Sequence, residues 1–330
     1  MELRKKVILD VDTGSDDAVA LLLAILSGKL DILGVTVTWG NRCVEDCVAN
    51  TLQVVELVDA GIPVYQGCPA AMVRELTPGR VANNPVNRIS IVEDGVEYSI
   101  HPAKMPIPDA VGKPEPIHAC TFLIDAVKKA DSKVTLIPVG PATNIGMAFR
   151  MDPSIAENIE EVVFMGGAVN MGNATAVAEA NFFHDPEAVK IVLDSGVKVR
   201  IVPLNATHSA MLTLEDADEL IGLGTRAGKL AGDMVKTRAA ASLRMGSTDG
   251  KAEPIHDALA VAWVLDEAVM LDARRQKCDI DISGGAADGQ LIVDQRRGND
   301  ESSNTVVAYK ADKDRFFAML KEALARGPKI

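Results

Sequence analysis

At 330 residues the chain can bury a large core, and nothing in its composition forces a division into two domains. With 34 Lys+Arg against 46 Asp+Glu, the net charge of −12 argues against nucleic acid or an anionic membrane as a main partner. No run approaches the roughly 20 apolar residues of a membrane span, and Met1 to Lys6 leads directly into an apolar strand rather than a signal peptide, so a cytoplasmic protein is expected.

In chain order, residues 7–11 read as a buried strand and 16–27 as a helix, with an acidic turn between them. Strand-like runs recur at 32–38, 134–139, 162–166 and 199–204, and helix-like segments at 43–60, 142–150 and 185–195. This alternation predicts an open α/β fold: a mainly parallel central sheet flanked by helices, in a single domain over 1–330. Trp39-Gly40-Asn41, Val139-Gly140-Pro141 and Met165-Gly166-Gly167 close three of the strands, so several loops should meet the acidic turn at the sheet's carboxyl edge. Asp185-Pro186-Glu187 reads as a helix start, with an Asp cap, Pro at the first helical position and an early acid.

Residues 72–117 are Pro-rich and polar, with Asn83, Asn84, Asn87 and Arg88 and a hairpin signal at Glu93-Asp94-Gly95-Val96. So long an excursion suggests an active-site flap or an insertion. The 213–253 stretch reads as helices joined by Gly-rich turns, and 255–265 as a helix headed by His256 and Asp257. Near the end, 278–283, 291–295 and 304–309 alternate like extra antiparallel strands, before a last helix starting at Asp312. Cys43, Cys47, Cys68, Cys120 and Cys278 are odd in number with no C-x-x-C, which suits buried reduced thiols better than disulfides or zinc.

The chemistry is expected in the acidic turn. Asp10, Asp12, Asp16 and Asp17 crowd together there, and a helix amino end offsets only about half an elementary charge. Asp16 and Asp17 are adjacent, so about 100° of helical rotation sends their side chains to different tasks. Three readings stand at this point. One is a divalent metal site of hard oxygen donors. Another is a phosphotransfer turn, since Asp10-Val11-Asp12-Thr13-Gly14 resembles the nucleophile turn of haloacid-dehalogenase-type phosphatases working with Mg²⁺. The third is a capped helix start with solvated acids. Asp257 read alone is a helix cap and His256 a surface residue, while Asn173, Glu179 and Asn181 either bind hydroxyl groups or close a polar loop on itself.

Taken together, these motifs resemble one family, the inosine-uridine preferring nucleoside hydrolases. Asp10-Val11-Asp12-Thr13-Gly14-Ser15-Asp16-Asp17-Ala18 is similar to its amino-terminal signature, with Thr13 where Pro is common. Trp39-Gly40-Asn41, Leu136 through Asn144, Met165 through Asn181, and His256-Asp257-Ala258 follow in the family's order. The resemblance implies a Ca²⁺ ion held by Asp12, Asp17, Asp257 and the carbonyl of Val139, with Asp16 as the general base for a calcium-bound water. It implies a ribose pocket of Asn41, Met165, Asn173, Glu179 and Asn181, His256 as a leaving-group acid, and Asp10 as support for the turn. The implied partner is a small nucleoside or related ribosyl compound, and the implied assembly a homodimer or homotetramer. A Ca²⁺-dependent ribose binder without turnover is the non-enzymatic alternative.

Departures fall at the base end. The family's His-Gly-rich loop after the third strand corresponds here to Gly79 through Pro85, with no histidine and a long continuation to His101. Asn205 stands where Asp is common. The nucleobase is therefore left open, and His101, His118, His184 and His208 are read as structural or surface residues.

Overall fold

In the computed structural model, residues 4–82, 89–296 and 303–330 are described. The polar residues Asn83, Asn84, Asn87 and Arg88 lie outside these ranges. In chain order the strands are β1 (Lys5–Val11), β2 (Leu30–Val37), β3 (Val64–Gln66), β4 (Ser90–Glu93), β5 (Val96–Ser99), β6 (Val134–Pro138), β7 (Ile159–Met165) and β8 (Val199–Val202). They continue with β9 (Leu212–Thr213), β10 (Ala252–Glu253), β11 (Met270–Arg275), β12 (Lys277–Ile280), β13 (Leu291–Asp294) and β14 (Thr305–Ala311). The helices are α1 (Ser15–Leu26), α2 (Val44–Leu57), α3 (Pro78–Ala82), α4 (Ala119–Lys129), α5 (Thr143–Met151), α6 (Ala180–His184) and α7 (Pro186–Leu193). After them come α8 (Leu204–Thr207), α9 (Leu214–Ile221), α10 (Arg226–Met245), α11 (His256–Leu265) and α12 (Lys313–Leu324).

Eight strands form the main sheet in the order β11-β14-β8-β7-β6-β1-β2-β3. Every pairing is parallel except β11 with β14. Alternate residues of β1 enter opposite layers: Val7, Leu9 and Val11 join the core packed by α1, α2 and α11, whereas Ile8 joins the core of α4, α5 and α7. Burial on both faces explains the unbroken apolar run of β1.

The chain runs outward from β1 to β2 and β3 on one side, and from β6 to β7 and β8 on the other. The strand order therefore reverses between β1 and β6, where Asp10 pairs with Pro138 and the Val139 N–H donates to the Asp10 carbonyl at 2.9 Å. Such a switch point opens a crevice at the carboxyl ends of the strands, and the acidic turn lies in it.

The expected Asp185 cap is present: its Oδ1 accepts from the Ala188 N–H at 3.2 Å, with Pro186 in the first turn. The hairpin forms as expected from β4 and β5, with Asp94 at φ 50° and Gly95 at φ 79°, the left-handed pair that a tight two-residue turn requires. The strands near the carboxyl end divide differently from their sequence pattern. Lys277–Ile280 and Leu291–Asp294 make a separate antiparallel pair, but Thr305–Ala311 enters the main sheet parallel to β8. Its antiparallel partner there is β11.

Candidate active site

Four loop ends meet at the switch point. Asp12, Asp16 and Asp17 come from the β1–α1 turn, Asn41 follows β2, Val139 follows β6, and Asn181 starts α6 beyond β7. Asp257 arrives at the amino end of α11, which packs against α1. Carboxylate oxygens of Asp16, Asp17 and Asp257 lie within 4.8 Å of one another, all three side chains buried.

Hydrogen bonds give each acid a different setting. Asp17 is held by the turn itself: Oδ1 accepts from the Asp12 N–H at 3.1 Å, and Oδ2 from the Gly14 N–H at 2.9 Å and Asn41 Nδ2 at 3.1 Å. Asp12 Oδ2 accepts from the Asn41 N–H at 2.6 Å, while its Oδ1 is buried with no hydrogen-bond partner. A Cβ at Gly140 would stand 2.7 Å from that Oδ1, and one at Gly40 would collide with Oδ2, so both glycines make room for the carboxylate. Asp16 Oδ1 accepts from Arg238 Nη1 at 3.0 Å and lies 3.7 Å from His101 Nδ1. Asp10 stands behind the turn, its Oδ1 accepting from Thr36 Oγ1 at 2.6 Å and Asn144 Nδ2 at 2.8 Å.

Electrostatics sharpen the contrast. Burial pushes Asp12 and Asp257 well above the usual carboxylate range, with the neighbouring acids adding to it, and pushes Asp17 up to about 6, reinforced by Asp16. For Asp16 burial acts in the same direction, but Arg238, His101 and His256 outweigh it and hold the carboxyl below its usual value. Clustered acids with a buried, partnerless oxygen and donors that are all oxygen fit a hard divalent cation.

The remaining expected residues are placed less evenly. Asn181 Nδ2 bridges the ends of β6 and β7, donating to the carbonyls of Val139 at 2.6 Å and Met165 at 3.1 Å. The buried Glu179 accepts from the backbone N–H groups of Gly167, Asn181 and Phe182 at 2.8, 2.8 and 3.2 Å. Asn173 is exposed, and its Oδ1 accepts from the Ala180 N–H at 2.9 Å, closing the 173–180 loop. His256 Nδ1 lies 2.8 Å from Thr207 Oγ1, and its ring is pushed down to about 3 by burial and then by Arg238.

Two side chains here escaped the sequence reading. Arg238, buried in α10, reaches both Asp16 and Ser15 Oγ, the latter at 3.0 Å. His101, read from sequence as a structural or surface residue, stands against the acidic turn, its Nδ1 accepting from the Ser15 N–H at 3.4 Å. Arg42, next to Asn41, fixes it there by donating to the His101 carbonyl at 2.8 Å. Residues 79–85 contain no histidine, and one comes instead from beyond the hairpin.

The model of the inosine-uridine preferring nucleoside hydrolases matches residues 7–318, almost the entire chain. The chain belongs to this family. It is accordingly an enzyme, a hydrolase of N-glycosyl compounds, and the phosphatase reading falls. It is 30% identical over 321 residues to the pyrimidine-specific ribonucleoside hydrolase RihB of Escherichia coli, covering 97% of both chains. Among solved structures it resembles the purine-preferring ribonucleoside hydrolase from Gardnerella vaginalis, with TM-score 0.82 and 32% identity over 97% of this chain and 98% of that one. A plant nucleoside hydrolase superposes with TM-score 0.83 at 25% identity, over 98% and 99% of the two chains.

Proposed function

We propose that this nucleoside hydrolase cleaves the bond between C1′ and the base nitrogen of a ribonucleoside in a Ca²⁺-dependent reaction, releasing ribose and free nucleobase. The observation that carries the reading is the buried convergence of Asp16, Asp17 and Asp257 at the sheet's switch point. Asp12, Asp17, Asp257 and the carbonyl of Val139 would hold the calcium ion, a set of oxygen donors that includes the partnerless Asp12 Oδ1. When bound, the cation supplies positive charge that acidifies water and attracts the sugar's hydroxyl groups.

Asp16 is the base. Arg238 keeps it ionised, and it takes a proton as the water oxygen bonds to C1′. The C1′–N bond breaks with its electron pair passing to the base, and the cationic sugar that develops faces the acidic cluster. Asn41, Met165, Asn173, Glu179 and Asn181 form the ribose side. Three of roughly four lone-pair directions on Glu179 are taken by backbone amides, so about one is left for a sugar hydroxyl.

The leaving-group end follows from His256. Its Nδ1 is engaged by Thr207 Oγ1 at 2.8 Å, which leaves Nε2 as the ring nitrogen for the departing base. Burial and Arg238 keep the ring neutral at rest, so His256 gives a proton to the departing base only after receiving the one that Asp16 takes from the water. Arg238 contributes a permanent positive charge to the site. Of the two relatives named for their bases, one is pyrimidine-specific and the other purine-preferring.

The same reading takes residues 1–330 as one domain, 72–117 as an active-site flap or an insertion, and the enzyme as a cytoplasmic homodimer or homotetramer, whose oligomeric state sedimentation tests. For the chemistry, the test is Asp16→Asn. Hydrolysis falls by about 100-fold or more, while ribose binding by calorimetry survives. Unchanged turnover overturns Asp16 as the base, and ribose binding without turnover in the native protein favours the binder over the enzyme.

A further inference from the structure

The cysteines carry an arrangement that their spacing in sequence conceals. Cys68 lies just beyond β3, while His118 caps α4 and Cys120 occupies its first turn, 52 residues further along the chain. The fold brings Cys68 Sγ and Cys120 Sγ to 3.9 Å, with no bond between them, and a ring nitrogen of His118 joins them so that all three candidate ligand atoms lie within 4.8 Å.

We propose that Cys68, His118 and Cys120 form a second metal site, for a thiophilic d¹⁰ cation such as Zn²⁺, separate from the acidic turn. The argument begins with distance. Two thiolates at about 2.3 Å from one tetrahedral zinc stand about 3.8 Å apart, and the two sulfurs lie at 3.9 Å. A pair closing to a disulfide would need about 2.05 Å.

Donor chemistry points the same way. Two sulfurs and an imidazole select a soft or borderline cation, whereas the acidic turn offers only oxygens, so the two sites do not compete for one metal. Cys120 in the first turn of α4 benefits as a thiolate from the helix's amino-terminal charge. The thiols also share a hydrogen bond that lowers Cys68 and raises Cys120 relative to a free cysteine.

Support around the ligands is already in place. The Cys68 N–H donates to Asn144 Oδ1 at 2.8 Å with or without a metal, whereas the 3.5 Å contact of Cys120 Sγ with the Asn144 carbonyl needs the thiol hydrogen and is given up when Cys120 binds as a thiolate. Cys120 is buried and Cys68 half-buried, while His118 is exposed and gives access from solvent. Binding replaces two S–H bonds with two metal–sulfur bonds and releases two protons to water. The His118 lone pair, now accepting from the Cys120 N–H at 3.2 Å, turns to the cation. Three protein ligands leave the fourth position to water.

The test is titration of the full-length, reduced protein with Co²⁺ in the presence of excess Ca²⁺, followed by displacement with Zn²⁺. The expected result is thiolate-to-cobalt absorption in the near ultraviolet with intense tetrahedral bands in the visible, saturating at a single equivalent and abolished by Zn²⁺. Cys68→Ser and Cys120→Ser each lose the thiolate absorption, and Cys68→Ser retains nucleoside hydrolysis. Since a buried substitution at Cys120 can disturb folding, His118→Asn gives the control: Asn preserves a helix cap, so the fold stays intact and the visible bands weaken. Absence of thiolate absorption in the native protein overturns the site. So does absorption that persists in Cys68→Ser, which would assign it to other cysteines, or loss of free thiols to a disulfide with no metal taken up.

Discussion

Arg238 shows how one residue sets the chemistry of its neighbours. It is buried, and its Nη1 is shared between Asp16 Oδ1 and Ser15 Oγ, each at 3.0 Å. Replacing it with Met leaves Asp16 without its ion-pair partner inside the protein, and we expect kcat to fall by about 100-fold or more, with partial recovery in Arg238→Lys. Equal kcat in the Met variant would contradict that pairing. A second prediction concerns His184, whose pKa burial, aided by Arg74, pushes down to about 4. Its ring lies 5.2 Å from that of Trp39, and its Nδ1 is buried without a partner. Unfolding returns the imidazole to its ordinary value near 6.5, so between about 6.5 and 4 the unfolded chain binds the extra proton. The contribution is fully present at neutral pH and is lost as pH falls through that window. Urea midpoints at pH 7 and pH 5 should therefore differ less in His184→Asn than in the native protein.

Among the elements, α7 and the hairpin show what the sequence disclosed and what it withheld. The Asp185 cap was legible because Asp-Pro-Glu is a local signal, and the structure adds that Asp185 Oδ2 also accepts from the Met72 N–H at 2.9 Å and Thr143 Oγ1 at 2.8 Å. Asp185→Ala thus removes a cap and a tie between distant segments, and should cost about 1–3 kcal/mol in urea unfolding. The hairpin was visible in its Asp-Gly turn, but not its seat on α10, where Arg244 stacks 3.7 Å over the Tyr98 ring and meets Glu93 at 3.2 Å. Arg244→Ala should raise KM more than it lowers kcat, because it loosens the segment that delivers His101; an unchanged KM would separate the hairpin from substrate binding. Two strands of the main sheet went unread for physical reasons. Val64–Gln66 is too short to show a period, and Met270–Arg275 is a charged edge strand whose polarity guards the sheet margin. Arg238 was hidden in a small-residue stretch of α10, since a helix pattern records which face is buried but not what a buried cation meets across the fold.

At the scale of the molecule, the acidic turn was legible because four acids within eight positions are costly without compensation, and the parallel sheet because its strands are apolar throughout. What sequence could not supply was the convergence of distant segments: His101 on Ser15, Arg238 on Asp16, Cys68 on Cys120. The acids gathered at the switch point also couple stability to metal. A cation that binds the folded chain but not the unfolded one stabilises it by mass action, so chelation should lower Tm and restored Ca²⁺ should recover it. The most direct test of the whole account is ribose release from inosine, adenosine, guanosine, uridine and cytidine by the purified enzyme, with and without chelator. The account predicts release from at least one of these nucleosides, abolished by chelator and restored by Ca²⁺. Release that is indifferent to chelator would contradict it.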